Sequence, residues 1–123
     1  MSDIQLLVQA FVRAGYVAAK PTRNGVVLTR DNSASVRVHT TVGGLIAQAL
    51  FKTQGPTAGK YKLLNDLNIV AIALRLTLDE AENASFEAFL PDNSDAAAAD
   101  GLVTAWHADI ERLLAHVSAS VLA

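Results

Sequence analysis

Residues 58–91 read AGKYKLLNDLNIVAIALRLTLDEAENASFEAFLP, and this stretch decides the fold. Residues 58–68 carry Tyr61, Leu63, Leu64 and Leu67 at helical spacing, just after Pro56 and Thr57, which suit a helix start. Residues 69–78 change period. Leu74, Leu76 and Leu78 alternate with Ala73, Arg75 and Thr77, the pattern of a half-buried strand. Residues 79–84 form a polar turn, and residues 85–90 form a partner strand with Phe86, Ala88 and Leu90 on one face. Pro91-Asp92-Asn93-Ser94 then stops the sheet and offers a cap to a following helix.

Working toward the N-terminus, residues 17–52 read as strands. Residues 26–30, 35–41 and 45–52 make a three-strand antiparallel meander, punctuated by Asp31-Asn32-Ser33 and Gly43-Gly44. Residues 17–22 add at most a short edge strand, because Pro21 cannot donate to a ladder. Asn24-Gly25 is a hairpin turn signal. Val36 and Val38 fall on one face of their strand, with Arg37 and His39 on the other. Residues 2–14 read as an amphipathic helix with Ile4, Leu7, Val8 and Phe11 in its stripe, Ser2 and Gln5 as a capping box, and Gly15 at its end. At the other end, residues 95–119 read as a long helix with Leu102, Trp106, Ile110, Leu113 and Val117 along one side, and Trp106 as a core residue. The expected architecture is therefore one α+β domain over residues 1–123, ordered helix, three-strand meander, helix, two-strand hairpin, helix.

The composition narrows the function classes. Half the chain is apolar (51%) and 18% is charged, which is enough to fill a core. The longest unbroken apolar run, residues 69–74, is too short to span a membrane, which takes roughly 20 residues. No secretory leader is legible at the N-terminus. There is no cysteine, so disulfides and thiolate chemistry are out, and a cytoplasmic location is the expectation. Net charge is −2, but the charges separate along the chain. The bases concentrate in the first half, with Arg23, Arg30, Arg37, His39 and Lys52 spread over the meander, and the acids in the second. A basic sheet face of that kind could meet an anion or a nucleic acid. The bases are single rather than clustered, and no aromatic residue lies between Arg23 and Arg37 to stack on a base. Nucleic acid is therefore the weaker expectation.

Motifs that carry chemistry are missing. His107 and His116 stand nine residues apart on a helix, which turns them to opposite sides, and neither they nor His39 belong to an HExxH pattern. They read as surface histidines, and no metal or cofactor is expected. Gly59-Lys60 ahead of a helix lacks the upstream glycine and the following Ser/Thr of a phosphate loop; Tyr61 stands in that place. Asp79, Glu80 and Glu82 read as an acidic turn without the ligand spacing of a calcium loop. No nucleophile-elbow motif occurs, so no catalytic residues are assigned and no enzyme is expected.

The order of elements resembles the type III secretion chaperone-like fold. Within it, Leu63-Leu-Asn-Asp-Leu-Asn68, the strand from Ala73 to Asp79 and the hairpin strand ending Phe86-Glu-Ala-Phe-Leu-Pro91 are similar to the YbjN family, described as sensory transduction regulators. The layout covers nearly the whole chain and the motifs roughly 30 residues. Asn65 and Asn68 match the family's helix pattern best. The resemblance implies a non-enzymatic homodimer that takes a protein or peptide partner along its sheet and helix surfaces. Independently, Tyr61, Leu64 and Leu67 make one stripe of the 58–68 helix while Leu63 and Val70 lie on another, so the helix has surplus apolar surface to offer a dimer or partner. Asn65 and Asn68, three apart on one face, are expected to be structural amides that satisfy free carbonyls or bridge to the next strand.

Overall fold

The computed structural model describes residues 4–23, 25–51, 57–70, 74–78 and 83–114. In chain order the elements are α1 (Ile4–Arg13), β1 (Val17–Ala18), β2 (Val26–Thr29), β3 (Val36–Thr41), β4 (Gly44–Phe51), α2 (Thr57–Val70), β5 (Arg75–Leu78), β6 (Ala84–Pro91) and α3 (Ala96–Leu114). The strands form one antiparallel sheet in the order β1-β2-β3-β4-β6-β5. The α+β class is as the patterns predict. The meander has four strands rather than three, because residues 17–22 do contribute a strand, though it shrinks to Val17–Ala18. Past it Pro21 has no N–H to donate, and Thr22 makes only an isolated bridge to Gly25.

Local sequence explains the first helix well. Leu7, Val8, Ala10 and Phe11 are buried. The chain leaves the helix at Gly15, whose φ of 99° suits glycine best. The Gly15 N–H donates to Val12 O at 3.0 Å and the Tyr16 N–H to Phe11 O at 3.1 Å, the paired bonds of a Schellman end. The ring of Tyr16 then meets Phe11 edge-on, with centroids 5.2 Å apart, and Trp106 of α3 does the same from the other side at 5.9 Å. These three aromatics join α1 to α3. The capping residue Ser2 lies outside the described residues.

Alternation along the strands builds the core. Val26 and Leu28 of β2, Val36 and Val38 of β3, Leu45, Ala47 and Ala49 of β4, and Phe86, Ala88 and Leu90 of β6 are all buried, together with Leu76 of β5. The registers align them across the sheet: Val26 faces Val38, Val38 faces Ala47, and Ala47 faces Ala88. The helices cover this face.

The largest departure from the sequence reading lies between α2 and β5. Of the strand expected over residues 69–78, Arg75–Leu78 is strand, Ile69 and Val70 belong to the helix, and residues 71–73 lie outside the described residues. An apolar run such as residues 69–74 does not distinguish helix from strand; tertiary packing does. The hairpin partner β6 sits beside β4, which leaves β5 at the sheet edge with only four paired residues. The outward backbone groups of β5 find partners on the helices instead. The Leu76 N–H donates to Asn68 Oδ1 and the Asn68 amide donates back to Leu76 O, both at 2.9 Å. The Leu74 N–H donates to Oδ2 of Asp109 on α3, also at 2.9 Å. Asp109 is 1% exposed, and Arg112 one turn on pairs with its other oxygen. The final helix, expected over residues 95–119, is described from Ala96 to Leu114, with its first turn capped by Asp95 Oδ1 accepting from the Ala98 N–H.

Asn68 and Asp109 are thus stand-ins for a missing neighbour strand. Asn68→Ala and Asp109→Ala should each lower the unfolding free energy by about 1–3 kcal/mol in urea denaturation, because the first leaves both backbone groups of Leu76 in β5 without their partner and the second the N–H of Leu74 just before it. Asn65 and Asn68 are both exposed, but it is Asn68 that bonds the backbone of β5, so Asn65→Ala should stay within about 0.5 kcal/mol. Equal losses for the two asparagines would overturn this assignment.

Candidate functional site

Sheet alternation that buries one face sends the other residues the opposite way, and no helix of the described residues covers that second face. Its middle row crosses five strands in register: Val27, Arg37, Gln48, Glu87 and Arg75. Hydrogen bonds run through it in one direction. Arg37 donates to Gln48 Oε1 at 2.6 Å, the Gln48 amide donates to Ser85 Oγ at 2.8 Å and to Glu87 Oε1 at 3.4 Å, and the Ser85 hydroxyl donates to Glu87 Oε1 at 3.2 Å. A cation at one end and a carboxylate at the other polarise the neutral groups between them.

Large apolar side chains flank this row. Phe89 is 49% exposed and stands beside half-buried Ile46 in the ladder. Its ring lies across Gly44, where a Cβ would come within 2.9 Å of the ring and 2.2 Å of Leu90 O; the glycine is required for that close approach. Val42, at the β3–β4 turn, is almost fully exposed next to them. On the other side of the row stands Leu50, 51% exposed, and Val27, 43% exposed, ends the row on β2. A sheet face open to water is ordinarily polar, so these side chains are the feature that asks for an explanation.

The proposed anion residues do not act as one set. Arg23, Arg37 and His39 line a single open hollow with Thr22 and Thr40. Arg30 is withdrawn from it. Its guanidinium donates to Ala14 O and to Ser33 Oγ, both at 3.0 Å, and lies 4.8 Å from the centre of the Tyr16 ring. It has been recruited by the exposed carbonyl at the end of α1 and by an aromatic face. Lys52 lies outside the described residues. The apolar residues of α2 also separate. Tyr61 is 55% exposed, whereas Leu64 is 3% exposed and belongs to the core, so Leu64 is removed from the partner surface: it is the residue that seats the helix. Leu63, Leu67 and Val70 have helical backbone, and their side chains are outside the description.

Two groups escaped the sequence reading. Asp109 was legible in principle, since it falls at core spacing between Trp106 and Leu113, where an apolar residue is expected. The second could not be read, because its members are 91 residues apart. Tyr16 OH and His107 Nε2 are 3.0 Å apart, and the two rings stack at 5.7 Å. His107 is therefore half-buried against Tyr16 and not the surface histidine that spacing suggested. Burial pushes its pKa below the ordinary value, and the nearby Arg30 pushes the same way, against smaller opposing effects of the Val103 backbone and Glu111. Both effects favour the neutral imidazole, whose Nε2 is within hydrogen-bond distance of the tyrosine hydroxyl. His116 lies outside the described residues. Among the described residues no group of three or more His, Asp or Glu could hold a metal ion, and no helix is long and apolar enough to cross a membrane. No protein-family model and no curated protein matches the chain.

The burial of His107, with Arg30 nearby, gives stability a pH dependence of definite sign. With the folded pKa below the unfolded one, the unfolded chain binds more protons, so stability falls as pH drops below about 6.5. Urea midpoints between about pH 7.5 and about pH 5 should decline more steeply for the wild type than for His107→Gln, and parallel declines would count against this cause.

Proposed function

We propose that the protein is a non-enzymatic, cytoplasmic, homodimeric binding module of the type III secretion chaperone-like, YbjN-like kind, and that it recognises a partner polypeptide on the uncovered face of its sheet. The observation that carries this reading is the trio Phe89, Leu50 and Val27, large apolar side chains left near half exposure on an ordered sheet. Burying such surface on association is worth about 25 cal/mol per Å², and surface of this kind marks partner sites. The order of elements and the α2–β5–β6 stretch support the family reading. The absence of a catalytic motif in the sequence supports a binding role over an enzymatic one.

For the homodimer, support comes from α2, where Tyr61 stands exposed on a helix whose inner side is seated by Leu64. Tyrosine is among the residues enriched at such contacts. Light scattering at micromolar concentration should give a dimer, and Tyr61→Glu should weaken it with little change in the urea midpoint. A monomeric wild type would sink the dimer.

The rival reading, an anion or nucleic-acid binder, has the convergence of Arg23, Arg37 and His39 in its favour. Three groups from one strand and one turn are few for a nucleic acid, whose affinity rises with the number of phosphates neutralised. Polypeptide binding can be tested directly by panning a random peptide-display library on the immobilised protein. Enriched sequences should appear on the wild type and disappear on Phe89→Glu. Tight, salt-steep binding of single-stranded RNA, with no enriched peptides, would favour the rival.

A further inference from the structure

Resting on that reading, we infer that the polypeptide segment taken by the uncovered face is acidic as well as apolar, an extended stretch carrying Asp or Glu beside its bulky side chains. Among the described residues three guanidinium groups, Arg23, Arg37 and Arg75, stand on or beside this face, with His39 among them, against one carboxylate, Glu87. That carboxylate is already occupied: it accepts from Ser85 and from Gln48. Arg37, in contrast, hydrogen-bonds a neutral amide and forms no ion pair among the described residues. Arg75 faces Glu87 in the ladder, yet among the described residues the two make no ion pair. The ion pairs formed among the described residues, Arg13 with Asp100 and Arg112 with Asp109, both involve the helices. The sheet face therefore offers cations next to apolar surface, and a carboxylate-bearing chain complements both.

Geometry sets the spacing. Arg37 and Arg75 lie in the same row, separated by β4 and β6, so three strand spacings of about 4.8 Å put them about 14 Å apart. An extended segment advances about 3.3 Å per residue and alternates its sides. Acids four residues apart thus point the same way and reach both arginines. A second copy of this chain is a poor occupant for the same reason that an acidic segment is a good one: face-to-face packing would bring two sets of arginines together. The dimer is accordingly assigned to α2 and the partner to the sheet.

The experiment is the same library panned on the wild type and on the Arg37→Gln/Arg75→Gln double variant, both checked by circular dichroism. Wild-type selections should enrich Asp and Glu about twofold or more over the input library, with acid pairs at four-residue spacing, and the double variant should return acids to the input frequency. Arg75→Gln alone, on the edge strand, should give a partial loss. An enriched wild-type peptide, followed by fluorescence anisotropy, should lose about fivefold or more in affinity between about 50 and about 500 mM NaCl, as screening of exposed charges requires. Neutral or basic enrichment that still depends on Phe89 overturns the acidic preference and leaves polypeptide binding standing. Acid enrichment that persists in the double variant also overturns it. A library that yields nothing dependent on Phe89 overturns both. A wild-type dimer that falls apart on Phe89→Glu would put a second copy on the face, and the inference would fail with it.

Discussion

Eight residue pairs between β4 and β6, from Gly44 opposite Pro91 to Phe51 opposite Ala84, hold the two halves of this chain together. Everything C-terminal to the meander is arranged around that ladder. Because β6 takes the place beside β4, the strand before it in sequence, β5, is displaced to the edge. The chain must therefore travel from β4 past the position of β6 before it can turn back, and α2 makes that crossing. The pairing is non-local, so its closure cost has to be recovered by burial, and the row Ala47–Ala88 with Phe86 and Leu90 supplies it.

The displaced β5 would be a free edge, and free edges invite pairing with other chains. Asn68 and Asp109 close it with side chains. An amide can both accept and donate, so one asparagine replaces both halves of a strand contact at Leu76. The carboxylate of Asp109 is acceptor-only and meets an N–H, at Leu74. At the opposite edge, β1 has two residues and is followed within three by Pro21. Both edges are thus poor templates for strand addition. The proposed polypeptide site is accordingly the open face of the sheet, where the exposed apolar side chains stand and where Arg37 and Arg75 form no ion pair among the described residues.

The same economy explains the helices. The described helices cover one face of the sheet, and α1 and α3 meet each other over it through Phe11, Tyr16 and Trp106. Tyr16 is the hinge of this contact. Its ring packs on Phe11, its face receives Arg30, and its hydroxyl meets His107. That arrangement takes Arg30 out of the basic face and leaves the sheet's charge to Arg23, Arg37 and Arg75.

Hydrophobic period and turn chemistry, which are local, were enough to place the helices, the alternating faces of β3, β5 and β6, and the burial of Trp106. Arg37 and His39 were legible as outward residues because a strand alternates strictly. The amide bridge from Asn68 was foreseeable from its position near a helix end. What local pattern could not supply is which strands become neighbours. Ile69 and Val70 are as apolar in a strand as in a helix, and their place at the end of α2 goes with β6 occupying the slot beside β4. The loss of Arg30 to Tyr16, the burial of Asp109 beneath β5 and the pairing of Tyr16 with His107 follow from contacts between residues about 15 to 90 positions apart. Such contacts depend on how the elements pack in space, and no periodicity along the chain encodes them.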